Sequence, residues 1–283
     1  MSRTVFGVLL ASLAHCEALQ VTVLGGSGFV GSRVCKSLVE SGADVISVST
    51  SGAAPSWCEA EDWAKSVDWR ANELTRGPRE GLVEAIGKPD AVVSCVGAIG
   101  FDWQGLLLGN GIANEEAARA AKSSGASKFV YTSVASEVAD ARTWLPAFFA
   151  GYFDGKADAE TAILDHFGAD ASTFVRPSFI YGGDSFGLFP PRVTSAYGSG
   201  VEELLSNGVI TKVADALPGL IKVALRPPVS VDAVAGACAA AAMGDLNAGT
   251  YDGTAAINTA VKRPPATGLS DFVAELKAKI TGD

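Results

Sequence analysis

Short solid runs of apolar residues, separated by stretches with helical periodicity, set the pattern of this chain. Val21-Thr22-Val23-Leu24, residues 44–49 and residues 91–96 are almost wholly apolar, as strands buried on both faces are. Between the first two runs, Val30, Val34, Leu38 and Val39 lie on one side of a helix that Gly42 stops. Residues 68–74 predict a short strand, Pro78 opens a helix carrying Leu82, Val83 and Ile86 to Gly87, residues 110–124 read as helix, and residues 128–132 as the next strand. A further helix precedes a strand in residues 173–182. Strands alternating with helices predict an α/β fold, a doubly wound parallel sheet.

Regularity then drops. Residues 182–228, with Pro190, Pro191 and Pro218, predict an irregular lid of loops and short helices, among them 201–205 and 210–217. Val229-Ser230-Val231-Asp232 introduces an alanine-rich helix to Met243, capped by Ser230 or Asp232. Residues 262–268 form a proline-containing linker, and 270–280 an amphipathic helix with Phe272, Val273, Leu276 and Ile280 inward. The expected organisation is a targeting segment (1–18), a dinucleotide-binding domain (19–181), and a lid with C-terminal helices completing the same domain (182–283).

The targeting reading rests on Arg3, the apolar residues 5–14 and the small-residue ending Cys16-Glu17-Ala18. Ten apolar residues fall short of the about 20 that span a bilayer, so no transmembrane anchor is expected. The absence of an acid before Glu17 suits a mitochondrion; a secretory-type start also suits a plastid of secondary origin.

Across 283 residues, 48% are hydrophobic and 19% charged, enough for a sizeable core. With 22 Lys and Arg against 31 Asp and Glu, the net charge of -9 opposes nucleic acid and anionic surfaces as partners. Cys35, Cys58, Cys95 and Cys238 show no paired spacing and read as free buried thiols. The only histidines are His15 and His166, which leaves neither a Ser-His-Asp triad nor a histidine-rich metal site in the mature chain.

The candidate chemistry begins where the first strand ends. Gly25, Gly28 and Gly31 lead from strand to helix: the first for a sharp turn, the second for approach of a pyrophosphate, the third for close helix packing. The amides of the first helical turn, at Phe29 and Val30, would face the anion. At the exit of the second strand, Ser49-Thr50-Ser51-Gly52 offers hydroxyls and no acid, which leans towards NADP over NAD. Gly97-Ala98 ends the 91–96 strand with small residues that admit a cofactor. Tyr152 and Lys156 stand four apart on one helix face, where an ammonium would lower the phenol from its usual pKa of about 10.

Assembled, these residues resemble the extended short-chain dehydrogenase/reductases, NAD(P)-binding Rossmann proteins, over residues 20–245. The matching elements are the three glycines, Asn110 and Asn114, Tyr152-Phe153-Asp154-Gly155-Lys156 with Ala159-Glu160, Arg176-Pro177 with Tyr181-Gly182, and Arg226-Pro227-Pro228-Val229-Ser230-Val231. Through the Tyr152-to-Lys156 element with Ala159-Glu160 and the Arg226-to-Val231 element, the chain is most similar to the group of the NAD(P)-binding accessory subunit of respiratory complex I, the mitochondrial ubiquinone-biosynthesis accessory reductase and related plastid proteins. The resemblance implies Tyr152 as proton donor or acceptor, Lys156 on the nicotinamide ribose, Pro177 beside the nicotinamide and Glu73 near the adenine. The family's catalytic serine aligns with Val134, leaving Ser133 or Ser136 to substitute. Two functions follow: an oxidoreductase of a small hydrophobic carbonyl or quinone-like substrate, or a non-catalytic NADP(H)-binding accessory protein of a membrane complex. The organelle implied is the mitochondrion, with the plastid as alternative.

Overall fold

The computed structural model describes residues 18–74, 81–183, 187–188, 191–217, 219–270 and 273. Strands and helices alternate as the sequence predicts: β1 (Gln20–Leu24), α1 (Gly31–Glu40), β2 (Asp44–Ser49), α2 (Asp62–Lys65), β3 (Asp68–Ala71), α3 (Leu82–Ile86), β4 (Ala91–Ser94), α4 (Trp103–Leu107), α5 (Ala113–Ser123), β5 (Lys128–Thr132), α6 (Ser136–Asp140), α7 (Ala150–Phe167) and β6 (Ser172–Arg176). The lid and C-terminal part follow: β7 (Ile180–Tyr181), β8 (Gly187–Leu188), β9 (Pro191–Arg192), α8 (Ser195–Leu205), α9 (Gly208–Asp215), α10 (Gly219–Ala224), β10 (Val229–Ser230), α11 (Val231–Met243), β11 (Gly249–Asp252) and α12 (Gly253–Ala260).

The main sheet has seven strands in the order β11-β6-β5-β4-β1-β2-β3. Every neighbouring pair is parallel. This is the doubly wound Rossmann arrangement. The order reverses between β1 and β4, so the crevice for a ligand opens at the carboxyl ends of those strands.

Both faces of the sheet are covered, which is why its strands are apolar runs. On one face, Val34, Cys35 and Leu38 of α1 and Val234 and Cys238 of α11 are packed with Val21, Val23 and Val93. On the other, Ala117 and Ala121 of α5 and Ile163 of α7 meet Val92, Phe129 and Tyr131. The alanines of α5 let it lie low on the sheet, and this brings α7 close to the cleft.

Departures from expectation have local causes. Strand β11 joins the sheet beside β6, yet its Gly-Thr-Tyr-Asp sequence has no apolar run because the edge is only half covered. Helices α2 and α4 are too short to show a period. In place of a regular helix from residue 110, Leu108–Ile112 forms a π turn before α5. Ser230, not Asp232, caps α11, its hydroxyl accepting from the Asp232 amide at 3.2 Å. Pro78 and most of residues 270–280 lie outside the described residues. Among the described residues, no helix is long and apolar enough to cross a membrane.

Candidate functional site

The glycine turn fits the cradle expected of it. Gly25 has φ +79°, and a Cβ there would lie 3.2 Å from the Cys95 backbone on β4's exit. At Gly31 a Cβ would sit 2.2 Å from the Gly25 carbonyl, so only hydrogen lets α1 start that close. Gly28 is exposed, its amide donating to Gly25 O at 2.9 Å. Gly26, passed over in the sequence, is just as constrained: a Cβ would meet Ser47 Oγ at 2.1 Å. Half-exposed Phe29 and Val30 lead into the first turn of α1, which starts at the crevice with its positive end towards a bound anion. These features fit a dinucleotide pyrophosphate.

At the next strand end, Ser49 is buried and Thr50 exposed. Ser49 Oγ is 2.7 Å from Ser27 Oγ and 3.3 Å from Ser51 Oγ, and Ser27 donates to the Ala53 carbonyl at 2.5 Å. The ribose end of the cradle is thus a cluster of hydroxyls. Asn72 N donates to Ser49 O at 2.9 Å, tying the exit of β3 to that of β2 and holding half-buried Glu73 one residue on. Arg33 lies 4.7 Å from both the Phe29 and Trp57 rings, a cation between aromatic faces that its place outside the glycine motif had concealed.

The other end of the crevice is organised by Asn110, in the π turn. Its side chain accepts from Ala98 N at 3.2 Å and donates to Ala98 O at 2.9 Å, which fixes the Gly97-Ala98 loop. Asn114 donates to Val96 O at 3.2 Å and accepts from Ser94 Oγ at 2.6 Å.

Tyr152 and Lys156 come to this place on α7. Lys156 is buried, and its Nζ donates to the Thr132 carbonyl at 2.9 Å. The ammonium sits 4.6 Å from the Tyr131 ring centroid and 5.9 Å from that of Tyr152, and a Cβ at Gly97 would be 3.6 Å from it. Burial lowers the Lys156 pKa to about 8. Burial also pushes the Tyr152 phenol up to about 12, contrary to the lowering expected from the lysine. The physical reason is position: Thr132 holds the ammonium, and desolvation governs the phenol. At neutral pH Tyr152 therefore carries its proton and can give it.

Ser133 is buried after β5, its amide donating to Val175 O at 2.8 Å. Ser136 is turned to Asp252, donating to Oδ2 at 2.5 Å, so its hydroxyl proton is committed there. Pro177 is buried, and its carbonyl accepts from Ala135 N at 2.9 Å. Arg176 donates to both carboxylate oxygens of Glu160 on α7 and to Asp252 at 3.4 Å. The Arg-Pro element thereby braces α7 against β6 and β11. Tyr181 donates to Glu202 at 2.5 Å and joins the lid helix α8 to the sheet side.

Apolar side chains border the Tyr152 end. Phe101 is 73% exposed and meets Phe148 edge-on with centroids 5.8 Å apart, while Phe148 and Phe149 are 4.6 Å apart; Ile99 and Trp103 are exposed nearby in sequence.

The pattern of the NAD dependent epimerase/dehydratase family matches residues 21–150. An uncharacterized chloroplastic protein of Arabidopsis thaliana is 36% identical over 172 residues, 60% of this chain and 53% of that protein. MIOREX complex component 2 of Saccharomyces cerevisiae is 44% identical over 57 residues, 19% of this chain and 21% of that protein. The aligned part is therefore about half of the plant relative and about a fifth of the yeast one. Among solved structures, the Bordetella bronchiseptica enzyme WbmH in complex with NAD+ has a TM-score of 0.54 at 17% identity, over 83% of this chain and 74% of that one. The Rossmann fold is thus shared with NAD-binding structures.

Proposed function

We propose that the chain is an NAD(P)-dependent oxidoreductase of the extended short-chain dehydrogenase/reductase type, which reduces a small hydrophobic carbonyl or quinone-like substrate. The observation that carries this reading is the pair on α7: a protonated Tyr152 one helical turn from a buried Lys156, at the Gly97 end of a glycine cradle. A bound nicotinamide supplies hydride. Tyr152 then donates a proton to the substrate oxygen, and Lys156, anchored by Thr132, meets the nicotinamide ribose. Gly25, Gly28, Phe29, Val30 and Gly31 hold the pyrophosphate, Ser49, Thr50 and Glu73 the adenosine side, and Gly97, Ala98 and Pro177 the nicotinamide side. Ser133 supports the substrate oxygen, since Ser136 is committed to Asp252.

The hydroxyl cluster at Ser27, Ser49 and Ser51 supports NADP, with NAD as the alternative. The aromatic border at Phe101 and Phe148 supports a hydrophobic substrate. An organellar location is supported by the chloroplastic Arabidopsis relative, with the mitochondrion suggested by the family resemblance. Nicotinamide absorbance would follow NADPH oxidation with long-chain aldehydes and short-chain quinones. Turnover that Tyr152→Phe removes supports the reading; no oxidation of NADPH or NADH with either class overturns it.

A second reading has its own observation. Val134, half-exposed, occupies the position where the family's catalytic serine aligns. A chain that binds NADP(H) without turnover, as an accessory protein of a membrane complex, needs no donor there.

A further inference from the structure

Arg33 on α1 joins three parts of the fold: the glycine turn, the loop between β2 and α2, and the lid. Its Nη1 donates to the Phe29 carbonyl at 2.9 Å, which ties it to the start of its own helix. Its guanidinium carbon lies 4.7 Å from the centroids of both the Phe29 and the Trp57 rings, so a flat cation is held between two aromatic faces. On the lid side, a Cβ on Gly183 would be only 3.3 Å from its Nη2, and Asp232 Oδ1 at the start of α11 is 3.8 Å from its Nε. Only 14% of the side chain is exposed, so the contact with Trp57 is made by a largely desolvated cation.

Trp57 belongs to the β2–α2 loop, which is fastened to the cradle at two points. Near its start, Ser51 Oγ donates to Ser27 Oγ at 3.2 Å, and the Ala53 carbonyl accepts from Ser27 Oγ at 2.5 Å. Further on, a turn in which Cys58 N donates to Pro55 O at 3.0 Å presents Trp57 to Arg33, and Trp63 of α2 backs the indole at 5.9 Å. Ser27 and Arg33 stand before and after Gly28-Phe29-Val30, the residues that lead into α1 at the crevice. The loop therefore runs along the adenosine side of the cradle, held at both ends of that turn.

The two fastenings are unequal. Both Ser27 bonds are open to solvent, where water replaces a lost hydroxyl partner at little net cost. A cation under an aromatic face gains strength as it is desolvated. The contact of Trp57 with Arg33 is thus the one that decides whether the loop stays down.

We propose that Trp57 on Arg33 is a latch that keeps this loop over the adenosine half of the cofactor and so sets how long the cofactor stays. Both are positioning residues, acting through the loop they fasten, and the latch rests on the dinucleotide reading of the glycine cradle. It holds whether or not Tyr152 turns over a substrate.

Stopped-flow displacement on the full chain tests it, with NADPH fluorescence following the release of NADPH and of prebound adenosine 2′,5′-bisphosphate. Trp57→Ala should release each about tenfold faster with little change in association, the size expected of one desolvated cation–aromatic contact. Trp57→Phe keeps a ring over the guanidinium and should restore most of the wild-type residence time. Arg33→Met keeps the stem and removes the cation. It should release at least as fast as Trp57→Ala, and adding Trp57→Ala to it should change little further, because both remove the same contact. The melting temperature of the nucleotide-free chain serves as the folding control. A wild type that binds neither nucleotide overturns the cofactor reading and the latch with it. Wild-type binding with an unchanged release rate in Trp57→Ala, or single effects that add in full in the double variant, overturns the latch and leaves the cofactor reading standing.

Discussion

Gly155 faces Gly111 so closely that a Cβ built on Gly155 would lie 2.8 Å from the Gly111 amide nitrogen. Gly155 is the residue before Lys156, and Gly111 follows Asn110 in the π turn. The contact therefore sets the distance between the Tyr152-Lys156 face and the loop that Asn110 holds. Alanine in a helix interior is ordinarily better than glycine by roughly 0.5–1 kcal/mol. Here the overlap is with backbone, where overpacking costs typically about 1–3 kcal/mol. Gly155→Ala should lower stability to urea, because the second effect exceeds the first, and should weaken cofactor binding as Lys156 shifts. An unchanged or raised urea midpoint would show that α7 can move without cost.

This contact marks the boundary of what the residues reveal by themselves. Five of the sheet strands could be read from apolar runs, because strands covered on both faces have little polar sequence; β3, an edge strand of Asp-Trp-Arg-Ala with no buried residue, was legible only as a short strand in residues 68–74. The seventh, β11, could not, since an edge strand of four residues with exposed Thr250 and half-buried Tyr251 and Asp252 carries no such run. The glycine cradle and the Tyr152-Lys156 spacing were legible as local patterns. Their surroundings were not: the Thr132 carbonyl that anchors Lys156 is main chain, and Asp252, which takes the Ser136 hydroxyl, is 116 residues away in sequence. The phenol's direction of shift was misjudged for the same reason, as burial is a property of the whole fold. Gly-rich spacing in Gly109-Asn110-Gly111 and the glycine inside Tyr152-Phe153-Asp154-Gly155-Lys156 were the signals available for the close approach of α7.

Lys156 should make stability rise with alkaline pH. Its folded pKa of about 8 lies below the ordinary lysine value of 10.5, so the folded state gives up the proton first. Below pH 8 the cost of burying the ammonium is fully present, and it fades as pH climbs towards 10.5. The shift corresponds to roughly 3 kcal/mol. Lys156→Met removes the group. Urea unfolding of the cofactor-free chain at pH 7 and pH 9.5 should show wild type gaining on the variant at the higher pH. Parallel pH dependence in the two proteins would mean that Lys156 is solvated. Tyr152 opposes the trend only above its ordinary pKa of 10, where the folded phenol still holds its proton.

The hydroxyl cluster at the ribose end should favour NADPH. Ser27, Ser49 and Ser51 place a hydrogen-bonded cluster of hydroxyls, and no carboxylate, where a 2′-phosphate would lie. Ser51 is exposed, so Ser51→Asp adds a charge without disturbing the core. That variant should lose about tenfold in NADPH affinity, or ~1.4 kcal/mol, and keep its NADH affinity. Titration of nicotinamide fluorescence measures both. Tighter NADH binding by the wild type would reassign the cofactor.

Tyr152→Phe separates turnover from mere cofactor binding. The ring meets Phe153 edge-on at 5.2 Å, and phenylalanine keeps that contact, so stability should change by no more than about 0.5 kcal/mol. NADPH affinity should also hold, because the cradle lies at the other end of the crevice. Loss of a proton donor should cut turnover by roughly 10²- to 10⁴-fold. Gly28→Asp makes the opposite cut: its carboxylate enters the pyrophosphate path and should abolish binding of either cofactor while Tyr152 stays in place. In cells lacking the endogenous gene, an oxidoreductase requires that both variants fail to restore function. Failure of Gly28→Asp alone, with full rescue by Tyr152→Phe, would instead assign the chain to the accessory reading, in which the nucleotide holds the fold and Val134 stands where no reaction takes place.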